Sequence, residues 1–239
     1  SPTIPDWRVR IGLSIGGPSI LYKASSPGIL APLKNTDGVI FPYTPTVQMT
    51  YAAHYDPQDI VHTNYKTFMY RSSSIDNISI TGEFTAQDTD EANYLIAAIH
   101  FFRSVTKMFY GKDENPKPGT PPPLCYITGL GQMQFNNHPM VITAFNYTLP
   151  AEVDYVRASV GNTTAPTETW VSYRAGSVGP GGTAIPTQYS NTNTAPPTYV
   201  PTRMQIAISC IPVVSRNDIS NRFSLTDYAS GKLLNGGFW

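Results

Sequence analysis

The sequence has few charged residues. Asp, Glu, Lys and Arg together make up 13% of the 239 residues, and the formal net charge is +0, whereas charged residues usually account for about 25% of a soluble domain. A balanced charge argues against a conventional nucleic-acid-binding protein, which would have a basic patch or a strongly basic domain, and it leaves a local basic site open. Two explanations of the missing charge stay open: a surface rich in Thr, Ser, Asn and Tyr, or a surface that is largely buried against other subunits.

Cysteine and long apolar runs are also scarce. The two cysteines, Cys125 and Cys210, have no paired spacing, so they indicate neither a disulfide framework nor a zinc site, and we predict that both are reduced core residues. No apolar run approaches the roughly 18 residues that a membrane span needs, and residues 1–5 lack the apolar core of a signal peptide. We expect a soluble protein, assembled in a cytoplasm, with no membrane partner.

Motifs that carry chemistry are missing as well. The sequence contains no Gly-x-Ser-x-Gly elbow and no phosphate-binding loop, and the glycines of residues 129–131 precede a predicted strand instead of a helix. His54 and His62, with Asp56 and Asp59, come nearest to a metal cluster, and we interpret them as structural. The chain is therefore predicted not to be an enzyme and to have no catalytic residue, cofactor or metal.

The sequence does contain many prolines, tyrosines and alternating apolar residues. Its 22 prolines and 15 tyrosines suit a loop-rich β architecture, and about nine segments are strand candidates. At this length the chain fits one large domain, residues 1–239, in a mainly β (α+β) class dominated by antiparallel sheet. The clearest strand patterns cover residues 7–15, 47–55, 68–72, 78–84, 140–149 and 203–211.

One segment, residues 88–110, has helical periodicity instead. Asp88 and Glu91 form a capping-box start, and Gly111 is placed to end the helix. We interpret the carboxylates of its first turn as helix caps. One apolar stripe contains Leu95, Ile99, Phe102 and Phe109, and a second contains Tyr94, Ala98, Phe101, Val105 and Met108.

Two apolar stripes exceed what one face of a sheet can cover. Either the core of the same chain surrounds the helix, or a neighbouring subunit covers part of it. We assign the first stripe to the sheet, and the second to a neighbour or to the proline-rich loop that follows. The candidate subunit interface is thus Tyr94, Ala98, Phe101, Val105 and Met108, with His100 on the adjacent polar line. A charged residue at position 101 is expected to abolish assembly and leave the monomer folded.

Two further segments have distinct compositions. Residues 161–201 are rich in Thr, Pro, Gly, Asn and Ser, which predicts an extended surface loop or arm that orders on contact with a neighbour. Residues 233–239 contain Leu233, Leu234, Phe238 and Trp239. Because large apolar side chains are costly to leave in water, this segment is expected to dock on some other surface.

Several runs of the sequence resemble the tail-tube/baseplate junction proteins of contractile-tailed bacteriophages. The resemblance covers residues 40–160 well and the ends more loosely, and residues 161–201 do not take part in it. The runs that carry it are FPYTP (41–45), YAAHY (51–55), HTNY (62–65), ITGEFTAQD (80–88), EANYLIAAIHFFR (91–103), TKMFYG (106–111), GTPPP (119–123), DYV (154–156) and FSL (223–225).

This resemblance implies a tail-tube type of fold, an antiparallel β-sandwich or barrel flanked by one long helix. It further implies a structural virion protein of the tail or baseplate that forms a homohexameric ring. Such a ring joins the baseplate hub to the tail tube, provides the surface on which the tube starts to polymerise, and surrounds a channel through which DNA passes without specific binding. The family has no catalytic residues.

Three alternatives stay open. The chain could be a tail-tube subunit or another tail component, which copy number per virion would distinguish from a junction protein. It could belong to a different class, a carbohydrate- or surface-binding β domain, for which exposed Trp and Tyr on a loop face would be the sign. A hydrolase is disfavoured, because it would need a cleft with convergent titratable groups.

Overall fold

The computed structural model describes residues 6–110, 119–159 and 198–239, which form a mainly β structure. All strand pairs are antiparallel. The strands are β1 (Arg10–Gly12), β2 (Val39–Ile40), β3 (Thr46–Gln58), β4 (Thr67–Thr85), β5 (Cys125–Gly129), β6 (Phe135–Tyr147), β7 (Tyr155–Ala158), β8 (Thr198–Pro201) and β9 (Arg203–Pro212), and the α-helices are α1 (Pro32–Thr36), α2 (Thr89–Ser104), α3 (Arg216–Asn221) and α4 (Leu225–Ala229).

Seven strands form one sheet with the order β2-β1-β5-β6-β9-β4-β3, and β7 pairs with β8 in a second, small sheet. The mainly β prediction is confirmed. Alternation along β9 has the predicted effect, since Met204, Ile206, Ile208 and Cys210 are all buried. Buried residues from both sheets and from α2 belong to one hydrophobic core.

Some strand boundaries differ from the prediction. The alternating pattern of residues 7–15 becomes only the short strand β1, and both Trp7 and Ile15 are exposed. Residues 68–72 and 78–84, predicted as two strands, belong to the single 19-residue strand β4. Of the predicted arm at residues 161–201, residues 161–197 lie outside the described part of the chain, and Thr198–Pro201 form β8.

Helix α2 begins as its sequence predicts. The Asp88 carboxylate accepts a hydrogen bond from Glu91 N at 2.8 Å, and Glu91 Oε2 accepts one from Gln87 N at 2.8 Å. Two backbone N–H groups that the helix leaves without a partner are thereby satisfied, as in a capping box. The carboxylates of this first turn have the capping role that was predicted for them.

The helix ends earlier than predicted, at Ser104 instead of near residue 110. Ser104 Oγ donates to His100 O at 2.7 Å, which competes with continuation of the helical backbone pattern. Farther along, Phe109 N donates to Thr120 O at 3.0 Å and Phe109 O accepts from Gly119 N at 2.9 Å, so this residue pairs with the backbone of residues 119–120. The predicted stop at Gly111 lies outside the described residues.

The chain itself covers most of α2. The helix contacts β4, α1, both strands of the small sheet and the 3-10 segments Leu21–Lys23 and Gly28–Leu30. Phe101 is 0% exposed, and its ring centroid lies 5.5 Å from that of Tyr22. Of the two explanations for the doubly apolar helix, a core that surrounds it within one chain accounts for most of its buried surface.

Both cysteines are free and buried, as predicted. Cys125 is opposite Met140 of β6, and Cys210 is opposite Ile142 of the same strand, on its other side. Two strand spacings separate them by about 9.5 Å, which is beyond the Cα separation of a disulfide. Burial raises the pKa of each thiol to about 12.

Residues 233–239 dock on the sheet, as their composition predicts. Leu233, Phe238 and Trp239 are buried, and Trp239 Nε1 donates to Pro139 O of β6 at 2.6 Å. None of the helices in the described ranges is long and apolar enough to cross a membrane.

The burial of Phe101 reverses the expected effect of a substitution there. Phe101→Asp should unfold the monomer, since it places a charge in a site without water, and Phe101→Ala should lower the free energy of unfolding by about 3–5 kcal/mol. Urea unfolding followed by circular dichroism measures both. Met108→Asp is the matched control, because Met108 is 51% exposed and its loss should cost less than about 0.5 kcal/mol. A folded, stable Phe101→Asp monomer would contradict this assignment.

The cysteines should be unreactive in the folded protein. With a pKa of about 12, each thiol has roughly a thousandfold less thiolate at pH 8 than an exposed cysteine. We expect a chromogenic disulfide reagent to label neither thiol at pH 8 on the timescale on which it labels both in concentrated guanidinium chloride. Rapid labelling of one thiol in the native protein would show that its strand opens locally.

Candidate assembly surface

A two-stranded hairpin projects from the edge of the large sheet. Strand β9 pairs with β4 from Ile78 to Thr85. Residues 51–77, here called the projecting hairpin, therefore have no strand partner among the described residues outside the hairpin itself. In this segment Ala52, Ser74 and Ile75 are half-buried, and every other residue is exposed. At about 3.4 Å per residue, the strands extend roughly 25 Å beyond the sheet.

One face of the projecting hairpin is aromatic. Tyr51 and Tyr55 point to the same side because they are four residues apart on β3, and the cross-strand pairs Tyr55 with Tyr70 and Pro57 with Phe68 share that side. The ring centroids of Tyr55 and Tyr70 are 5.6 Å apart in an edge-on arrangement. The four aromatic side chains are 56–61% exposed, so the structure leaves a contiguous aromatic surface in water.

Both edges of the projecting hairpin have unpaired backbone. Strand β3 is the last strand of the sheet, and residues 67–77 of β4 have no neighbour on the side away from β3 within the described chain. Free N–H and C=O groups along a strand form a template for pairing with another chain. Register shifts near Met49 and His54 interrupt the hairpin ladder, and irregularities of this kind increase its twist.

Charges on the hairpin are arranged in pairs of opposite sign. Lys66 Nζ lies 3.0 Å from Asp59 Oδ1, and Arg71 Nη1 lies 3.7 Å from Asp56 Oδ1. Exposed pairs of this type contribute roughly 0–1 kcal/mol each. Their main consequence is that the hairpin presents neither a strongly basic nor a strongly acidic surface.

A cleft of about 730 Å³ lies between the base of the hairpin and the segments that follow β9. On the hairpin side its lining includes Tyr51, Tyr70 and Ile75, and on the other side it includes residues of the segments 212–228 and 238–239. The aromatic face therefore continues into an apolar cleft. Beside it, Ile219, Phe223 and Leu225 are 48–72% exposed.

The residues predicted to form a subunit interface are not grouped on one surface. Ala98, Phe101 and Val105 are fully buried in the chain's own core and offer no area to a neighbour. The Tyr94 hydroxyl, half-buried, accepts from Ile40 N at 2.8 Å and donates to Gly38 O at 3.2 Å. Only Met108 is exposed. An interface role stays a prediction for Met108, Tyr94 and His100. The other three residues, Ala98, Phe101 and Val105, have no accessible surface with which to contact a neighbour.

His100 is half-buried on α2. Its pKa is lowered by burial and, to a smaller extent, by the neighbouring Arg103.

His54 and the two aspartates of the predicted cluster have other partners on the hairpin. His54 Nε2 lies 2.9 Å from Ser74 Oγ and 3.9 Å from Asp76 Oδ1, while Asp56 and Asp59 pair with the cations named above. Across residues 6–110, 119–159 and 198–239 there is no group of three His, Cys, Asp or Glu side chains that could hold a metal ion.

Comparison with known proteins gives no identification. Neither the protein-family models nor the curated proteins contain a match to the sequence.

The projecting hairpin is the feature that sequence reasoning missed. Residues 47–55 were predicted to be a strand, but nothing in an alternating pattern distinguishes a strand that packs on a core from one that extends into water. The one available signal was the spacing of the aromatic residues Tyr51, Tyr55, Phe68 and Tyr70. They lie on two strand segments that follow one another in the sequence, as the strands of a hairpin do.

The projecting hairpin should be dispensable for folding. Replacing residues 54–72 by Asn-Gly joins Ala53 to its cross-strand partner Ser73 through a two-residue turn of the type that hairpins favour. Because nearly all the deleted side chains are exposed, we expect the free energy of unfolding to change by less than about 1 kcal/mol. Urea unfolding measures the change, with Phe101→Ala as the destabilised reference. Failure of the shortened chain to fold would show that the hairpin supports the sheet.

Proposed function

We propose that this protein is a non-enzymatic structural component of a contractile phage tail. In this proposal copies of the chain form a ring, hexameric as the family resemblance implies, which joins the baseplate hub to the tail tube and starts tube polymerisation. DNA passes through the channel of the ring without specific binding. The observation that carries the proposal is the projecting hairpin, taken together with the resemblance over residues 40–160.

The first support is the cost of leaving the hairpin alone in water. An isolated two-stranded ribbon is at best marginally stable, and this one also exposes four aromatic rings. A contiguous apolar patch of this kind typically marks a contact with another molecule. In a ring of identical copies, a neighbouring copy of the chain is available to cover the aromatic face of each hairpin.

The second support is the geometry of the free edges. The outer edge of β3 and the outer edge of residues 67–77 are different surfaces of one hairpin. If β3 of one copy pairs with β4 of the next, the two copies contact each other through unlike surfaces. Contacts between unlike surfaces generate rings when the rotation closes, so a single hairpin per chain is sufficient to build one.

Charge is consistent with a passage for DNA. A protein that binds DNA tightly neutralises phosphates with Lys and Arg, whereas the cations Lys66 and Arg71 of the hairpin are opposed by Asp59 and Asp56. A channel lined by such pairs would let a polyanion move past. Tight binding would retain it.

A tail-tube subunit proper is the nearest alternative, and the same hairpin would serve it. The two functions differ in copy number, since a junction protein forms one ring per particle and a tube subunit forms many stacked rings. Electron microscopy of the protein in its particle, with the ring counted by layer, distinguishes them.

Ring formation is the direct test of the proposal. We expect the purified chain, alone at high concentration or with its hub and tube partners, to form closed rings visible by negative-stain electron microscopy and measurable by native mass spectrometry. Tyr55→Glu combined with Phe68→Lys should raise the protein concentration needed for assembly at least about thirtyfold, which corresponds to about 2 kcal/mol at a hot spot.

The matched control is Ile15→Glu, because Ile15 is 68% exposed and lies outside the hairpin. It should assemble as the unmodified chain does, and all variants should have unchanged unfolding midpoints. A protein that stays monomeric with both partners present would refute the proposal. Glycan binding by such a monomer would favour the surface-binding alternative.

A further inference from the structure

His138 is the one polar or charged side chain that is buried among the described residues, with 1% of its surface exposed. It lies on β6 between Phe135, whose ring is edge-on at a centroid distance of 6.2 Å, and Trp239, at 5.0 Å. Burial of an ionisable ring between two aromatic rings is costly unless both ring nitrogens have hydrogen-bond partners.

Both nitrogens are satisfied, and their partners fix the tautomer. Asn136 N donates to His138 Nδ1 at 2.9 Å, so Nδ1 is an acceptor. His138 Nε2 lies 2.9 Å from Phe238 O; because a carbonyl oxygen can only accept, Nε2 carries the proton. The neutral ring thus connects β6 to the backbone of residue 238.

The residues that His138 holds form the end of the described chain. Phe238 and Trp239 are buried. Trp239 is held in addition by its Nε1 bond to Pro139 O at 2.6 Å and by Tyr228, whose hydroxyl donates to Trp239 O at 2.8 Å. Both Phe238 and Trp239 also line the cleft beside the projecting hairpin.

Protonation of His138 is incompatible with this arrangement. A second ring proton would have to sit on Nδ1, where it would face the N–H of Asn136. Two donors would then oppose each other in a buried site, and the charge would have no carboxylate partner there. The ring can accept the proton only if it leaves its position or if Asn136 moves away.

We propose that His138 is a proton-operated latch: in its neutral form it holds residues 237–239 on β6, and its protonation releases them and opens the wall of the cleft at the base of the hairpin. The device is independent of ring formation, since every contact in it belongs to one chain.

Among the described residues, His138 has no ion pair with a carboxylate that would offset its charge, whereas His54 has one with Asp76. Tyr126 on β5 lies next to Ile127, the cross-strand partner of His138. On the side of α4, Tyr228 binds Trp239 O, and the Trp239 ring lies against the His138 ring. Around the docked segment, the Arg222 guanidinium lies 5.8 Å from the Phe238 ring centroid, and Lys232 pairs with Asp227 at 3.2 Å, both largely exposed to solvent.

The pH range of the latch follows from burial. Burial lowers the pKa of His138 below the ordinary value of about 6.5, with the bond to Phe238 O opposing the shift. The docked segment is therefore fully stabilised above about pH 6.5. It loses stability as pH falls below that value, by about tenfold in the docking equilibrium per pH unit, until the folded-state pKa is reached.

Two measurements on one sample test the latch. In a chain with Trp7→Phe and Trp170→Phe, Trp239 is the remaining tryptophan, and its emission should shift to the red as pH is lowered from 8 to 4.5. The protection factors of the Gly237 and Phe238 amides, corrected for intrinsic exchange, should fall about tenfold per pH unit over the same transition. Far-UV circular dichroism should stay unchanged. Long-range ¹⁵N–¹H spectra should show the Nε2–H tautomer of His138 at neutral pH.

His138→Gln keeps a donor for Phe238 O and cannot titrate, so its segment should show no pH transition. The control replaces the other histidines, with His54→Gln, His62→Asn and His100→Gln, and should retain the transition of the unmodified chain. If His138→Gln does not fold, the test is made on the unmodified protein: the NMR titration of the His138 ring should follow the same pH dependence as the loss of protection at residues 237–238. Titration of His138 without loss of protection at residues 237–238, persistence of the transition in His138→Gln, or global unfolding at the same pH would each overturn the proposal.

Discussion

The fold depends on the need to bury a helix that is apolar on two sides. A helix with one apolar stripe can rest on a sheet and leave its other side in water, but α2 has Leu95 and Phe102 on one stripe and Ala98 and Phe101 on the other, all buried. The large sheet covers only part of this surface. The segment before β2 and the β7–β8 pair cover other parts of it. The short helices of that segment and the second sheet therefore bury apolar surface of α2 that the large sheet leaves uncovered.

The ends of α2 show which parts of the fold could be predicted from sequence. Its start could, because Asp88 and Glu91 act on backbone groups three or four residues away, and such local chemistry is visible in the sequence. Its end could not, because the helical pattern continues to Phe109. Its end at Ser104 goes with a side-chain bond from Ser104 Oγ to His100 O, and Phe109 beyond it pairs with the backbone of residues 119–120. A partner ten residues away leaves no local signal.

Strands show the same division. The alternation of β9 predicted both its extent and its buried face, since every second residue packs in the core. Strand β4 was predicted in two pieces, residues 68–72 and 78–84. The gap between them, residues 73–77, directly precedes Ile78, where pairing with β9 begins, and along this gap the strand has no core that selects apolar residues. An alternating pattern identifies a strand with one apolar and one polar face. Only the three-dimensional structure shows whether the apolar face packs on the core of the same chain.

This limit explains why the candidate interface moved from the helix to the hairpin. The sequence predicted that α2 has more apolar surface than one sheet can cover, and this is correct. The chain, however, covers most of that surface with its own residues. Among the described residues, Tyr51, Tyr55, Phe68 and Tyr70 form an exposed aromatic face on the hairpin. In the proposed assembly this face contacts another copy of the chain. In a chain whose remaining surface has so little charge, repulsion does not oppose that contact, and the free edges of the same hairpin give it a direction.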